Sequence, residues 1–287
     1  MSSINRSATQ IMAKVVSNKV VGAYHHLILD VGDIAKKTKP GNFVAVSVGG
    51  ENSNMVLRRA FAVYRTSEKE SLDGFIELIV SPHGAGSRWL CAREINEKVD
   101  VILPLGTAFG VPVEPVNAIL IGGGYGSAPL FGLAQLLKER GCRVDMILGA
   151  STAMKIFAPL EGKRSVNSLT ITTDDGSAGV KGKITDVLPS IIEANKGEIV
   201  YSCGPMAMLE AITKITSEKN VYHQCSIEES MACGIGVCMT CVAPIRGRDG
   251  IHRMERTCIT GPVVNGEDVN WDSYRKIPEG VFGYDIF

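Results

Sequence analysis

The sequence predicts a β-barrel plus an α/β unit: a small antiparallel barrel, then a doubly wound parallel sheet, then a short cysteine-rich segment. Three observations predict it. Short apolar/polar alternations separated by turn residues fill the N-terminal third. Near residue 115 the rhythm changes to apolar strands separated by helical stretches. From about residue 223 the periodicity fades, and glycine and cysteine take over.

In the N-terminal third, Ile11–Val16 and His26–Val31 alternate as a strand pair would, Pro40-Gly41 breaks the run, and Asn42–Val48 resumes it. Further β-rich pieces lie at Leu57–Tyr64, Gly74–Ser81 and Lys98–Leu103, a spacing that suggests a small antiparallel barrel. Only Ser87–Arg93 reads as helical here. Beyond 115, Ala118–Ile121 is an apolar strand, followed by a glycine turn and a helix through Lys138. Arg143–Leu148, Ser168–Thr173 and Glu198–Ser202 are further strands, with helices around Lys183–Ala194 and Met206–Glu218. Strands alternating with helices give a parallel sheet. The expected units are residues 8–113, 114–222 and 223–287.

Thirty basic residues balance thirty acidic ones in a chain of 287, so no global field recruits nucleic acid or an anionic membrane. Residues 115–137 carry no charge, and a membrane-spanning helix needs about 20 apolar residues. Asn117, Gly122–Gly124, Gly126, Ser127 and Pro129 interrupt that run, which therefore reads as buried strand, tight loop and buried helix. Residues 1–13 lack the apolar core of a secretory signal. Cys91, Cys142, Cys203 and Cys225 are scattered as free thiols of a reducing compartment would be, so a cytoplasmic protein is expected.

The other four cysteines are not scattered. Cys233-Gly-Ile-Gly-Val-Cys238-Met-Thr-Cys241 is C-x4-C-x2-C, and Cys258 follows after sixteen more residues. Plant-type [2Fe–2S] clusters use that spacing, because one loop wraps the cluster and a later segment returns the fourth thiolate. Gly234 and Gly236 let the backbone approach the inorganic core. The alternatives are a zinc knuckle or buried thiols. Structural zinc usually takes two C-x2-C-like pairs, and only Cys238/Cys241 supply one.

Gly122-Gly123-Gly124-Tyr125-Gly126-Ser127-Ala128-Pro129 follows a strand and opens a helix, where amides and the helix N-terminus can hold a pyrophosphate. Ser127 stands where a third glycine would, and a plain strand–helix turn is the alternative. Tyr201-Ser202-Cys203-Gly204-Pro205 marks a second strand end, where such sheets bind ligands. Cys203 is a candidate near the reacting ring, with a buried thiol as the alternative. Together the two turns favour a nicotinamide nucleotide. Nicotinamide exchanges a hydride while an iron–sulfur cluster takes one electron, so a flavin is needed between them. Arg58 and Arg59 offer cations to a phosphate, and Phe61 offers a ring face. Gly84-Ala85-Gly86-Ser87 is a further anion-binding geometry. Each taken alone is equally a solvated face or a turn. The five histidines show no metal-ligand spacing, and no nucleophile–base or paired-carboxylate pattern stands out.

Over residues 11 to 264 the chain resembles the electron-transfer subunit of NAD-linked dihydroorotate dehydrogenase, within the ferredoxin-reductase superfamily. The resemblance is carried by Gly122–Leu130, Thr173-Asp-Asp-Gly-Ser-Ala-Gly179 with Lys181-Gly182, Cys203-Gly-Pro, and Ser226 through Cys241. It implies a ferredoxin-reductase-like FAD-binding barrel, an NAD(H) domain and a C-terminal [2Fe–2S] segment. The family's Arg-Pro-x-Ser flavin motif falls on Arg59-Ala60-Phe61-Ala62, its Tyr-Arg pair on Val80-Ser81 after Ile79, and its Gly-Thr on Gly86-Ser87. Losing Pro, Ser and Arg to Ala60, Ala62 and Ser81 removes a hydroxyl and a cation from the flavin side. The resemblance places Asp174 at the dinucleotide edge and Glu228 and Glu229 near the cluster loop or flavin. It also implies pyrimidine biosynthesis and a flavin-containing catalytic partner subunit in a heterotetramer. Subunits of the same build serve NAD(P)H:ferredoxin oxidoreductases and sulfhydrogenases. A reading from another class is a redox sensor or zinc-bound scaffold.

Overall fold

The computed structural model describes residues 8–50, 53–69 and 72–274; the expected tail beyond 274 lies outside them. Six antiparallel strands close a barrel in the order β1-β2-β5-β4-β3-β6. They are β1 (Thr9–Val21), β2 (Tyr24–Asp30), β3 (Phe43–Val46), β4 (Arg59–Lys69), β5 (Leu72–Val80) and β6 (Lys98–Leu105), with helix α1 (Ala85–Cys91) before β6. Closure follows from β1, which pairs with β2 along one edge and with β6 along the other. Alternation sends Ala13, Val15, Leu27, Leu29, Ile76, Leu78, Val99 and Val101 inward, where they form one core.

The second layer is a seven-stranded sheet in the order β10-β9-β8-β7-β11-β12-β15. Its strands are β7 (Asn117–Gly123), β8 (Arg143–Ala150), β9 (Ser168–Thr173), β10 (Val180–Lys181), β11 (Ile199–Cys203), β12 (Tyr222–Ser226) and β15 (Val263–Asn265). All run parallel except β15, which returns antiparallel to β12. Helices α2 (Ala128–Glu139) and α3 (Pro159–Ser165) cover one face, α4 (Ile184–Asn195) and α5 (Met206–Glu218) the other. Ala118 and Leu120 point toward α2, and Ile119 and Ile121 toward α4 and α5. The hairpin β13 (Val242–Arg246) and β14 (His252–Arg256) lies between β12 and β15, followed by one-turn helix α6 (Thr257–Thr260); α7 (Trp271–Tyr274) comes last.

Helix α2 is apolar nearly all round because it packs between the sheet and the barrel. The backbone there is tight: a Cβ on Gly132 would lie 3.0 Å from the Tyr64 carbonyl of β4. Tyr64, Phe131 and Phe157 meet edge to face with centroids 5.5–5.8 Å apart, and the Tyr64 hydroxyl donates to Glu161 at 2.6 Å. Tyr201 donates to the Gly110 carbonyl at 2.8 Å. These contacts lock barrel and sheet into one cleft.

The expected strands and helices are present with shifted ends. Sequence reading passes over α3, β10, β12 and every element of the cysteine-rich segment: β13, β14, α6, β15 and α7. The expected boundary between 222 and 223 falls inside β12, whose register with β11 and β15 makes it part of the sheet. Its polar residues hid it. His223 is 1% exposed, and its ring is satisfied by hydroxyls. Thr213 Oγ1 already donates to Leu209, so it accepts from Nδ1–H (3.1 Å), while Ser202 donates to Nε2 (2.7 Å).

Burial lowers the His223 pKa to about 3. The sign follows from the unfolded value near 6.5. Above it the ring is neutral in both states; below it only the unfolded chain takes the proton, so stability falls until about pH 3. The His223 contribution at pH 5 is a loss of about 2 kcal/mol relative to pH 7.5. Urea denaturation of wild type and His223→Gln at both pH values measures it, and equal pH slopes in the two proteins would contradict the assignment.

Candidate functional site

The sheet order places the topological switch beside β7, between β8 and β11, where ligands bind such sheets. Cys203 pairs directly with Gly122, so the two loops singled out in the sequence leave the sheet side by side. They touch: a Cβ on Gly126 would lie 3.0 Å from the Gly204 Cα, and one on Gly123 would lie 2.8 Å from Pro205. Gly122 is excluded from the surface. Its Cβ would sit 2.2 Å from that of Ser127, which is fully buried and donates to the Gly124 carbonyl at 2.7 Å. Gly122 and Ser127 therefore shape the turn rather than face a ligand.

Two clefts meet at these loops. The larger, about 920 Å³, runs over the ends of β7, β8, β9 and β11 and is lined by Gly123, Gly124, Gly126, Asp174, Gly204 and Pro205. Lys155, Thr172 and Lys183 also line it. The smaller, about 420 Å³, lies between barrel and sheet. Arg59, Ala60, Phe61, Ala62, Ile79, Ser81, Gly86 and Ser87 line its barrel side, and Pro129, Cys203 and Gly204 its sheet side. Pro129 and Cys203, expected at the dinucleotide, thus face the barrel-side cleft. Val80 does not face it. Strand alternation turns Val80 into the barrel core, between Ile79 and Ser81, which do face the cleft.

The two neighbouring arginines divide. Arg58 ion-pairs with Asp100 at 2.6 Å, whereas Arg59 stays on the cleft, donating to the Leu57 carbonyl at 2.8 Å and packing along Gly86. Burial pushes the Cys203 thiol up to about 12, so it stays protonated at neutral pH. Residues missed by sequence reading sit where the clefts join: His83 and Tyr125 line both, their rings 5.9 Å apart. The signal for His83 was its position between Ser81 and Gly84. Glu228 also lines both clefts, and Glu229, its pKa raised by burial, lines the smaller.

The C-terminal cysteines come together in pairs. Cys233 and Cys238 have sulfurs 3.2 Å apart, and the Cys241 and Cys258 side chains are buried in one apolar cluster. The Cys238 N–H donates to the Cys233 sulfur at 3.4 Å, the Thr240 hydroxyl and amide favour the Cys238 thiolate, and the Gly236 amide favours that of Cys258 against burial. Thr240 first among these holds the Cys238 thiol down to about 6. Gly236 has φ +84°, and a Cβ there would strike Ile259 at 2.5 Å. Two sulfur pairs joined by a glycine-shaped loop, with amides aimed at sulfur, fit a two-iron centre that takes two thiolates per iron. Cys241 and Cys258 are buried with Phe43, Ala45 and Leu105, and Met231 packs on the same group. Phe43 and Met231 also line the barrel-side cleft.

Residues 228–270 match the model of the iron–sulfur cluster binding domain of dihydroorotate dehydrogenase B. The chain is similar to the dihydroorotate dehydrogenase B (NAD(+)) electron transfer subunit of Desulforamulus reducens, 31% identical over 267 residues, covering 91% of this chain and 100% of that one. The subunit of the same name from Bacillus cereus strain Q1 is 34% identical over 258 residues, covering 88% and 95%. Among solved structures, that of an NADH-dependent reduced ferredoxin-NADP oxidoreductase superposes with TM-score 0.79 at 27% identity, covering 92% of this chain and 91% of that chain. A ferredoxin reductase in carbazole 1,9a-dioxygenase shares the fold at TM-score 0.62 and 23% identity, covering 75% and 67%.

Gly122→Ala tests the packing of the glycine turn. The added methyl must displace Ser127 and the start of α2, so the variant is expected to lose about 1–3 kcal/mol of stability. Denaturant unfolding measures it, and an unchanged midpoint would show that the turn relaxes freely.

Proposed function

We propose a function from one premise: the chain belongs to the family of dihydroorotate dehydrogenase B electron transfer subunits. It carries electrons between a flavin-containing catalytic partner and NAD+, in the oxidation of dihydroorotate to orotate that serves pyrimidine biosynthesis. The observation that carries this reading is the shared wall. Phe43 and Met231 face the barrel-side cleft and also pack with Cys241 and Cys258, while Cys203 and Gly204 face the same cleft from the sheet.

In this reading FAD occupies the barrel-side cleft, where it supplies the carrier that exchanges hydride with NAD(H) and single electrons with the iron–sulfur centre. Arg59 meets its phosphates, and Phe61, Ile79 and Ser81 bound its ring system. Gly123, Gly124 and Gly126 cradle the NAD pyrophosphate, and Asp174 stands at the adenosine end. Cys203, a neutral thiol, positions the nicotinamide against the flavin side without acting as a base. Cys233, Cys238, Cys241 and Cys258 hold the [2Fe–2S] cluster. The units are the barrel (8–113), the nucleotide domain from 114 through β12, and the cluster segment that follows β12.

The partner docks beside the cluster, in a heterotetramer located in the cytoplasm. Among the described residues no helix is long and apolar enough to cross a membrane, and the eight cysteines form no disulfide. A second reading keeps the same internal chemistry with a ferredoxin-type partner. It is favoured by the 0.79 superposition on the NADH-dependent reduced ferredoxin-NADP oxidoreductase and by Ala60, Ala62 and Ser81 at motif positions.

Native purification separates the two readings. A co-purifying flavoprotein that reduces NAD+ with dihydroorotate supports the first, and a ferredoxin-linked partner the second. Cys238→Ser is expected to slow electron passage to the partner by roughly a hundredfold while NADH still bleaches the flavin. Collapse of NADH-dependent bleaching in a folded, flavin-loaded variant would refute this division of labour. Arg59→Ala is expected to weaken FAD retention by roughly 10- to 100-fold, read by equilibrium dialysis; wild-type retention would remove Arg59 from the phosphate site.

A further inference from the structure

Thr257 is 1% exposed, and its Oγ1 meets no partner among the described residues. The neighbouring hydroxyl behaves otherwise, since Thr260 donates to the Arg256 carbonyl at 3.1 Å. A buried hydroxyl left without a partner is destabilising, so one that persists points to an acceptor supplied by something else.

The hairpin register says where Thr257 lies. β13 and β14 pair Val242 with Arg256, and one step further the Thr257 amide donates to the Cys241 carbonyl at 2.7 Å. Thr257 opens α6 and Cys241 precedes β13, so this bond sets their backbones side by side just beyond the ladder, with Cys258 next in the chain, and Thr257 and Cys241 are each 1% exposed. The Cys233 sulfur already accepts from the Cys238 amide, and Thr240 and the Gly236 amide favour the thiolates of Cys238 and Cys258, which leaves Cys241 without such a neighbour among these groups. A thiolate or sulfide accepts hydrogen bonds and cannot donate one, so the hydroxyl must be the donor.

We propose that the Thr257 hydroxyl donates a hydrogen bond to sulfur on the Cys241 side of the iron–sulfur centre and thereby raises its reduction potential. The inference rests on the reading of the four cysteines as the cluster ligands. Hydrogen bonds to the sulfurs favour the more negative, reduced state, so each one eases uptake of an electron. Thr257 is a positioning and tuning residue that touches no substrate.

The test is an EPR-monitored redox titration of the full-length, FAD- and cluster-loaded protein as wild type, Thr257→Val and Thr257→Ser. Valine keeps the shape and drops the hydroxyl; serine keeps the hydroxyl. Thr257→Val is expected to make reduction about tenfold less favourable, a midpoint about 59 mV lower for one electron, with Thr257→Ser at the wild-type value. Cluster-free Thr257→Val is expected to melt no lower than cluster-free wild type, because an unpartnered hydroxyl has been removed. Loss of the cluster from the valine variant alone also supports the proposal. An unchanged midpoint in Thr257→Val, equal shifts in both variants, cluster loss from both, or a markedly lower melting point of cluster-free Thr257→Val would overturn it. Wild type without iron and sulfide would instead overturn the cluster reading itself.

Discussion

Burial of the Cys241 and Cys258 side chains against Phe43, Ala45 and Leu105 is the contact on which the arrangement depends. It lays the cysteine loop on the outer wall of the barrel, at the end of β3 and β6. Because the same Phe43 ring forms part of the cleft on its other side, one layer of side chain separates loop from cleft. A short electron path needs that thinness, and a rigid one needs the close packing of the wall.

The cleft itself exists because two rigid bodies are held at a fixed angle. Helix α2 fills the gap between β4 and the sheet, and Tyr64 joins it to Phe157 and to Glu161. Arg65 reaches the same carboxylate and stacks on the Tyr64 ring. Edge-to-face pairs of this kind are each worth about 0.5–1.5 kcal/mol beyond their burial, enough together to hold the angle. The first glycine loop then meets the barrel through Tyr125, whose ring lies against Tyr24 and His83 where the two clefts join.

Charge is rationed along that path. Arg58 is spent on Asp100 at the barrel surface, leaving Arg59 as the cation of the pair on the cleft. Cys203 lies in an environment that holds it neutral, and Glu229 is pushed the same way by burial. A mostly apolar cleft in which Arg59 faces in from the barrel, with the Glu228 and Glu229 carboxyls also on its lining, suits a cofactor that is charged at the phosphate end and uncharged at the ring. Around the cysteine loop the balance reverses, since amides and hydroxyls converge on sulfur.

The strongly periodic parts were legible from sequence: the barrel alternation, β7 with its glycine turn, α5, and the four cysteines with their spacing. Local pattern determines these, because burial on one face or a ligand count leaves a mark on adjacent residues. Val80 was assigned to the cleft by motif position, yet its neighbours Ile79 and Ser81 face it, since a strand turns alternate side chains to opposite sides. β12 escaped notice because its buried histidine is paired with Ser202 and Thr213, which lie twenty-one and ten residues away. Which residues face each cleft, that His83 and Tyr125 stand at the junction, and that Thr257 sits opposite Cys241 were decided only by the tertiary structure. Those facts depend on contacts between segments far apart in the chain, and no local pattern encodes them.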